Sequence, residues 1–136
     1  WRKGGGMVKV ELTPEGEAIM GAEFKNFETR YNNGPVFGHE EGLVPQGEFA
    51  QTVTLGHFRS ATNNPDGKPS TEMIDKPAFT ATTYGKGRLM LISPHPETHP
   101  ELALLSGRAY VWALGLDPQT QEPVTEAAKQ RAALGQ

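Results

Sequence analysis

The sequence predicts an α/β domain in which strands outnumber helices. Three observations carry that reading. Short segments of period-two alternation are separated by turn signals, one hairpin leads into a continuously apolar strand, and a helix with an apolar stripe follows that strand directly. The chain has 136 residues, the length of one domain. Its apolar fraction of 36% rises to about 48% once the 16 Gly are counted, inside the globular range. With 11 Pro as well, the chain is loop-rich without reaching low-complexity composition.

The elements follow in order. Met7-Val8-Lys9-Val10-Glu11-Leu12 alternates apolar and polar, as a half-buried strand does. Thr13-Pro14-Glu15 reads as a helix start, with a hydroxyl N-cap, Pro at the first helical position and acids in the first turn. Gly21 follows Ile19-Met20 as a C-cap, so that helix is short. Residues 24–31 form a strand that breaks at Asn32-Asn33-Gly34-Pro35. Residues 49–58 form a clearer one, with Val53, Leu55 and His57 on one face and Thr52, Thr54 and Gly56 on the other. Residues 60–76 read as an exposed polar loop around Asn63-Asn64-Pro65-Asp66-Gly67.

Residues 77–84 and 88–92 make a hairpin through Gly85-Lys86-Gly87. Leu89-Met90-Leu91-Ile92 is apolar throughout, which suits a strand covered on both faces at the centre of a sheet. Pro94 and Pro96 stop it. Thr98-His99-Pro100-Glu101 has capping-box spacing and opens a helix to about residue 114, with Leu102, Leu105, Ala109 and Trp112 on one stripe and Gly115 closing it. Residues 117–136 read as a linker and tail, with residues 125–134 either a short surface helix or a frayed end. The last strand and helix look like one half-unit of an α/β sandwich. Residues 1–116 are therefore expected to be part of a larger domain whose remaining strands come from elsewhere.

Composition excludes several classes. With 13 basic and 16 acidic residues, net charge −3, there is no basic stripe for nucleic acid. No stretch approaches the roughly 18 apolar residues of a membrane-spanning helix. The opening residues, Trp1 to Gly6, form no signal peptide. The absence of Cys removes disulfides, thiolate metal sites and a thiol nucleophile from this chain, and the compartment is left open.

The residues best placed for chemistry are His95 and Glu97. They stand just past the carboxyl end of the apolar strand and before a helix, where open α/β sheets bind ligands. Flanking prolines stiffen the backbone, and a carboxylate two residues on can accept the imidazole N–H and fix its tautomer, the orienting role in a nucleophile–His–acid triad. The bland alternative is a solvated loop His beside a helix-capping acid. His95 and His99 stand at i, i+4 but are interrupted by Pro96 and Pro100, and with His39 and His57 distant in sequence no metal site is expected. Gly4-Gly5-Gly6 and Gly85-Lys86-Gly87 match no phosphate-loop pattern, so no cofactor is expected. Phe24, Phe27, Tyr31, Phe37 and Phe58 are read as core, and Ser93 as a strand-ending hydroxyl.

Tyr84-Gly85-Lys86-Gly87-Arg88, the apolar strand and Ser93-Pro94-His95-Pro96-Glu97 together resemble the C-terminal part of class I glutamine amidotransferase-like domains, in the branch related to the biotin-protein-ligase N-terminal-type domain. Residues 6–16 and Arg30-Tyr31-Asn32-Asn33-Gly34-Pro35 look like that branch too, so the resemblance spans residues 1–116. It implies a flavodoxin-like fold and a Cys-His-Glu triad for amide or acyl hydrolysis, with His95 as general base and Glu97 as its orienter. The Cys would come from an N-terminal half on the same gene product or a second chain, and the substrate would be a small molecule. The sequence departs from the family in carrying no Cys, and in having Ser93-Pro94 where a Gln-aromatic pair is usual. A catalytically silent small-molecule-binding or interaction module of the same fold is the alternative. A third reading is an independent β-rich interaction domain.

Overall fold

The computed structural model describes residues 4–38 and 51–121. Five strands, β1 (Gly5–Leu12), β2 (Asn26–Asn32), β3 (Val53–Phe58), β4 (Pro77–Tyr84) and β5 (Gly87–Ile92), form one antiparallel sheet in the order β2-β1-β3-β4-β5. Two helices, α1 (Pro14–Met20) and α2 (Ala103–Ala113), complete a small mixed α/β domain. β1 behaves as its alternation requires: Val8, Val10 and Leu12 are buried while Met7 and Lys9 face outward.

The sheet is curled. In a flat sheet β2 and β4, three positions apart, would be separated by about 14 Å. Yet Phe27 of β2 and Phe79 of β4 meet edge to face at 5.9 Å between ring centroids. Tyr31 of β2 meets Phe58 of β3 at 5.7 Å in the same manner. These rings, with Leu55, Met73, Met20 and Leu105, fill the concave side that the helices cover. Beyond β5 the backbone runs to the opposite edge of the sheet. Ser93 N still bonds Ala78 O of β4 at 3.0 Å, and His95 N bonds Arg30 O of β2 at 2.7 Å. The turn after β5 thus ties both margins of the sheet together.

α1 starts and stops as read. Thr13 Oγ1 accepts from Gly16 N at 3.2 Å and donates to Thr54 O at 2.9 Å, Pro14 opens the helix, and Gly21 ends it at φ 111°. Gly16 is required there by contact, because a Cβ at that position would lie 1.9 Å from the Leu55 carbonyl oxygen. α1 is fastened to α2 by Arg108, whose Nη1 donates to Met20 O at 2.8 Å and to Glu23 Oε1 at 2.6 Å.

Four expectations are corrected. First, among the described strands β5 stands at the edge of the sheet, not its centre: it alternates, with Met90 and Ile92 facing α2 and Leu89 and Leu91 43% and 53% exposed on the other face. Second, a register shift around Gly56 breaks the simple alternation of β3, so Leu55 and Gly56 are both buried and His57 is only partly so. Third, residues 60–76 are not simply exposed. Thr62, Ser70 and Met73 are buried, and a 3-10 turn at Thr71–Met73 drives Met73 into the core. Fourth, the C-terminal helix starts at Ala103 after 3-10 turns at Pro96–Thr98 and Pro100–Leu102. Pro100 forces His99 into extended backbone, so Thr98 donates its hydroxyl to His95 O at 2.8 Å instead of capping a helix. Of the expected stripe, Leu102, Leu105 and Ala109 are buried and Trp112 only partly so, and Gly115 follows the helix at φ 82°. The sheet shows no parallel pairing among the described residues, and the helical reading of residues 125–134 lies outside them.

Gly16→Ala is expected to lower unfolding stability by about 3 kcal/mol, since the added methyl collides with backbone rather than a movable side chain. Urea denaturation read by circular dichroism measures it. Acid supplies a second test. Hydrogen bonds from its own backbone N–H and then from Arg108 hold the Glu23 carboxyl below its ordinary range. Its contribution is complete above the unfolded-state pKa and disappears as pH falls through the lowered native value. The denaturation midpoint of the protein should therefore fall more steeply below about pH 4.5 than that of Glu23→Gln.

Candidate functional site

The apolar run of β5 ends where Ser93 and Pro94 leave the sheet. Both are buried, and Pro96 after them is fully buried too. Ser93 Oγ donates to Pro35 O, which pins the strand end to the turn after β2. Tyr31 OH donates to Gly34 O at 2.5 Å within the same turn, and burial raises the Tyr31 phenol, keeping it a donor. Ser93 is therefore a structural hydroxyl.

His95 projects from this fixed backbone. Its N–H is held by Arg30 O at 2.7 Å and its carbonyl accepts from Thr98 N at 3.2 Å and Thr98 Oγ1 at 2.8 Å. Its Nδ1 lies 2.8 Å from Glu97 Oε1. An ionised carboxylate only accepts, so the imidazole proton sits on Nδ1 and Nε2 is the basic nitrogen. The structure brings the two sequence-derived site residues into direct contact, and both side chains remain open to solvent.

The pair lines a cleft of about 440 Å³. Met90 and Ile92 of β5 form one wall, Ser106, Ala109 and Tyr110 of α2 the other, and Pro94 and Pro96 flank the His. Arg88 sets the spacing of the walls: it stacks over the Trp112 ring at 5.1 Å and donates to Trp112 O at 3.0 Å. No Lys or Arg lines the cleft among the described residues.

The other histidines take different places. His99 accepts the Arg30 N–H on its Nε2 at 3.1 Å. His57 sits on β3 in register with Glu11 and Pro77, and His39 lies outside the described residues. Among the described residues no group of three or more His, Asp or Glu is arranged to hold a metal ion. No described helix is long and apolar enough to cross a membrane. Tyr31 and Phe58 are core, Phe24 and Phe27 pack against it, and Phe37 is half-buried.

Comparison with family models, curated proteins and solved structures finds no match to the chain. Sequence reasoning missed Arg30 and Pro35 as supports of the His95 turn, because nothing local marks a residue that meets its partner across the sheet.

Ser93→Ala should cost about 1 kcal/mol by leaving the Pro35 carbonyl unpaired. The His95–Glu97 contact should survive, seen as an unchanged low-field Nδ1–H proton resonance.

Proposed function

We propose that residues 1–116 are the C-terminal part of a flavodoxin-like, class I glutamine amidotransferase-like domain, and that His95 and Glu97 are the base and orienter of a Cys-His-Glu triad. The observation that carries this reading is the 2.8 Å His95–Glu97 contact on a turn whose backbone is held on both sides of the His. A rigidly presented imidazole with one nitrogen committed to a carboxylate is what general-base catalysis asks of a protein. The adjoining cleft is of ligand size.

In this reading a thiol from the N-terminal half of the same domain, on the same gene product or a second chain, approaches His95 Nε2. The imidazole takes the thiol proton, the thiolate attacks the carbonyl carbon of an amide or related acyl group, and Glu97 steadies the imidazolium. The imidazolium then protonates the leaving amine as the C–N bond breaks. Water, deprotonated by the same His, hydrolyses the thioester. What supports an added half is that among the described strands β5 pairs only with β4, and that Leu89 and Leu91 are exposed on one of its faces.

A second reading is a catalytically silent module of the same fold that binds a small molecule. The mixed lining of the cleft, apolar at Met90, Ile92 and Ala109 and polar at Ser106 and Tyr110, supports it. The two separate on a thiol and on turnover. Denaturing intact-mass spectrometry of the natively purified protein, with thiol labelling, should find one reactive Cys on the same polypeptide or on a tightly bound second one. In that material His95→Ala should lower amide hydrolysis by at least about 10³-fold, and Glu97→Gln by on the order of 10²-fold, with the fold retained. A single thiol-free species of 136 residues would end the triad reading.

A further inference from the structure

We propose that His99 is a positioning residue for His95, acting as a neutral imidazole with its proton on Nδ1. The inference rests on reading His95 as the base. Among the described strands β2 is the outer one, so its outward N–H and C=O groups face no neighbouring strand of the sheet. Arg30 turns both of its groups to one short stretch of chain: its carbonyl accepts from His95 N at 2.7 Å, and its N–H donates to His99 Nε2 at 3.1 Å.

A backbone N–H cannot accept a hydrogen bond, so Nε2 of His99 must present a lone pair. The ring proton then lies on Nδ1, which faces Glu101 Oε1 at 3.4 Å. His99 is thus the mirror of His95 in purpose. Both keep a protonated Nδ1 beside a carboxylate, but the Nε2 of His99 is consumed by the sheet edge.

The two attachments work together because the stretch between them is stiff. His99 N bonds Pro96 O at 3.1 Å, Thr98 binds the His95 carbonyl, and Pro96 and Pro100 fix the φ angles on either side. Ser93 anchors the turn ahead of His95, through Ala78 O and Pro35 O, while after His95 N the chain has no further bond to β2 before His99 among the described residues. The bond to His99, four residues on, fastens the far side of the turn to the same residue and so helps hold the backbone from which the His95 imidazole projects. The His99 side chain is 20% exposed against 41% for His95, as suits a strut beside a working group.

The test is made on the ¹⁵N-labelled full chain by NMR, with His99→Leu and His99→Gln. The terminal amide oxygen of Gln reaches as far as Nε2 and can accept the Arg30 N–H. In the unsubstituted protein His99 should show an unprotonated Nε2 coupled through the hydrogen bond to Arg30 N. His99→Leu should speed hydrogen exchange at the Arg30 and His95 amides by about 5- to 10-fold, and His99→Gln should restore protection. A proton on Nε2, unchanged exchange in His99→Leu, or His99→Gln behaving as His99→Leu would each overturn the assignment. If His99→Leu fails to fold, the tautomer in the unsubstituted protein decides. None of these readings involves a thiol or turnover, so failure of the triad would leave them unmoved.

Discussion

The antiparallel bridge between Arg30 and His95 is the contact on which the rest of this structure depends. It joins the outer edge of β2 to the chain leaving β5, the opposite edge of the same sheet. Only strong curling allows that, and curling is what lets Phe27 reach Phe79 and Tyr31 reach Phe58 across the interior. A flat sheet with this strand order would leave those aromatic rings without partners on one side. The bridge and the aromatic pairs are thus features of one curled sheet.

The same bridge explains why a His on a surface turn is so well fixed. Its backbone is held by β2, by Thr98 and by two buried prolines, while its side chain stays open. Rigidity comes from the main chain and accessibility from the side chain, and the two do not compete. α2 contributes separately. Arg108 fastens it to α1 and Arg88 to β5, so the wall facing His95 is set by contacts outside the cleft.

Much of this was legible locally. Thr13-Pro14 and Gly21 bound α1 because caps act within a few residues, and the Gly85-Lys86 turn places β4 against β5 for the same reason. His95 and Glu97 were legible as a pair since two residues separate them on a proline-stiffened turn. What failed was information carried by distance. The run from Leu89 to Ile92 is equally apolar at the centre or the edge of a sheet, and only the strand order decides. The shift at Gly56 depends on the neighbouring strand. Pro100 is the exception: its demand for extended backbone at His99 was local and argued against a helix starting at Thr98.

The seam at Arg30 also joins distant parts of the chain. Arg30 and His99 are 69 positions apart, whereas β4 and β5 are joined by a tight turn. Contacts so distant close only after the loss of chain entropy between them is offset by structure already formed. Loop-closure entropy thus weighs less on the hairpin than on the seam. The aim of the candidate base depends on a contact between residues 69 positions apart, which a chain lacking either one does not make. A half-made chain displays an imidazole, but not one that is aimed.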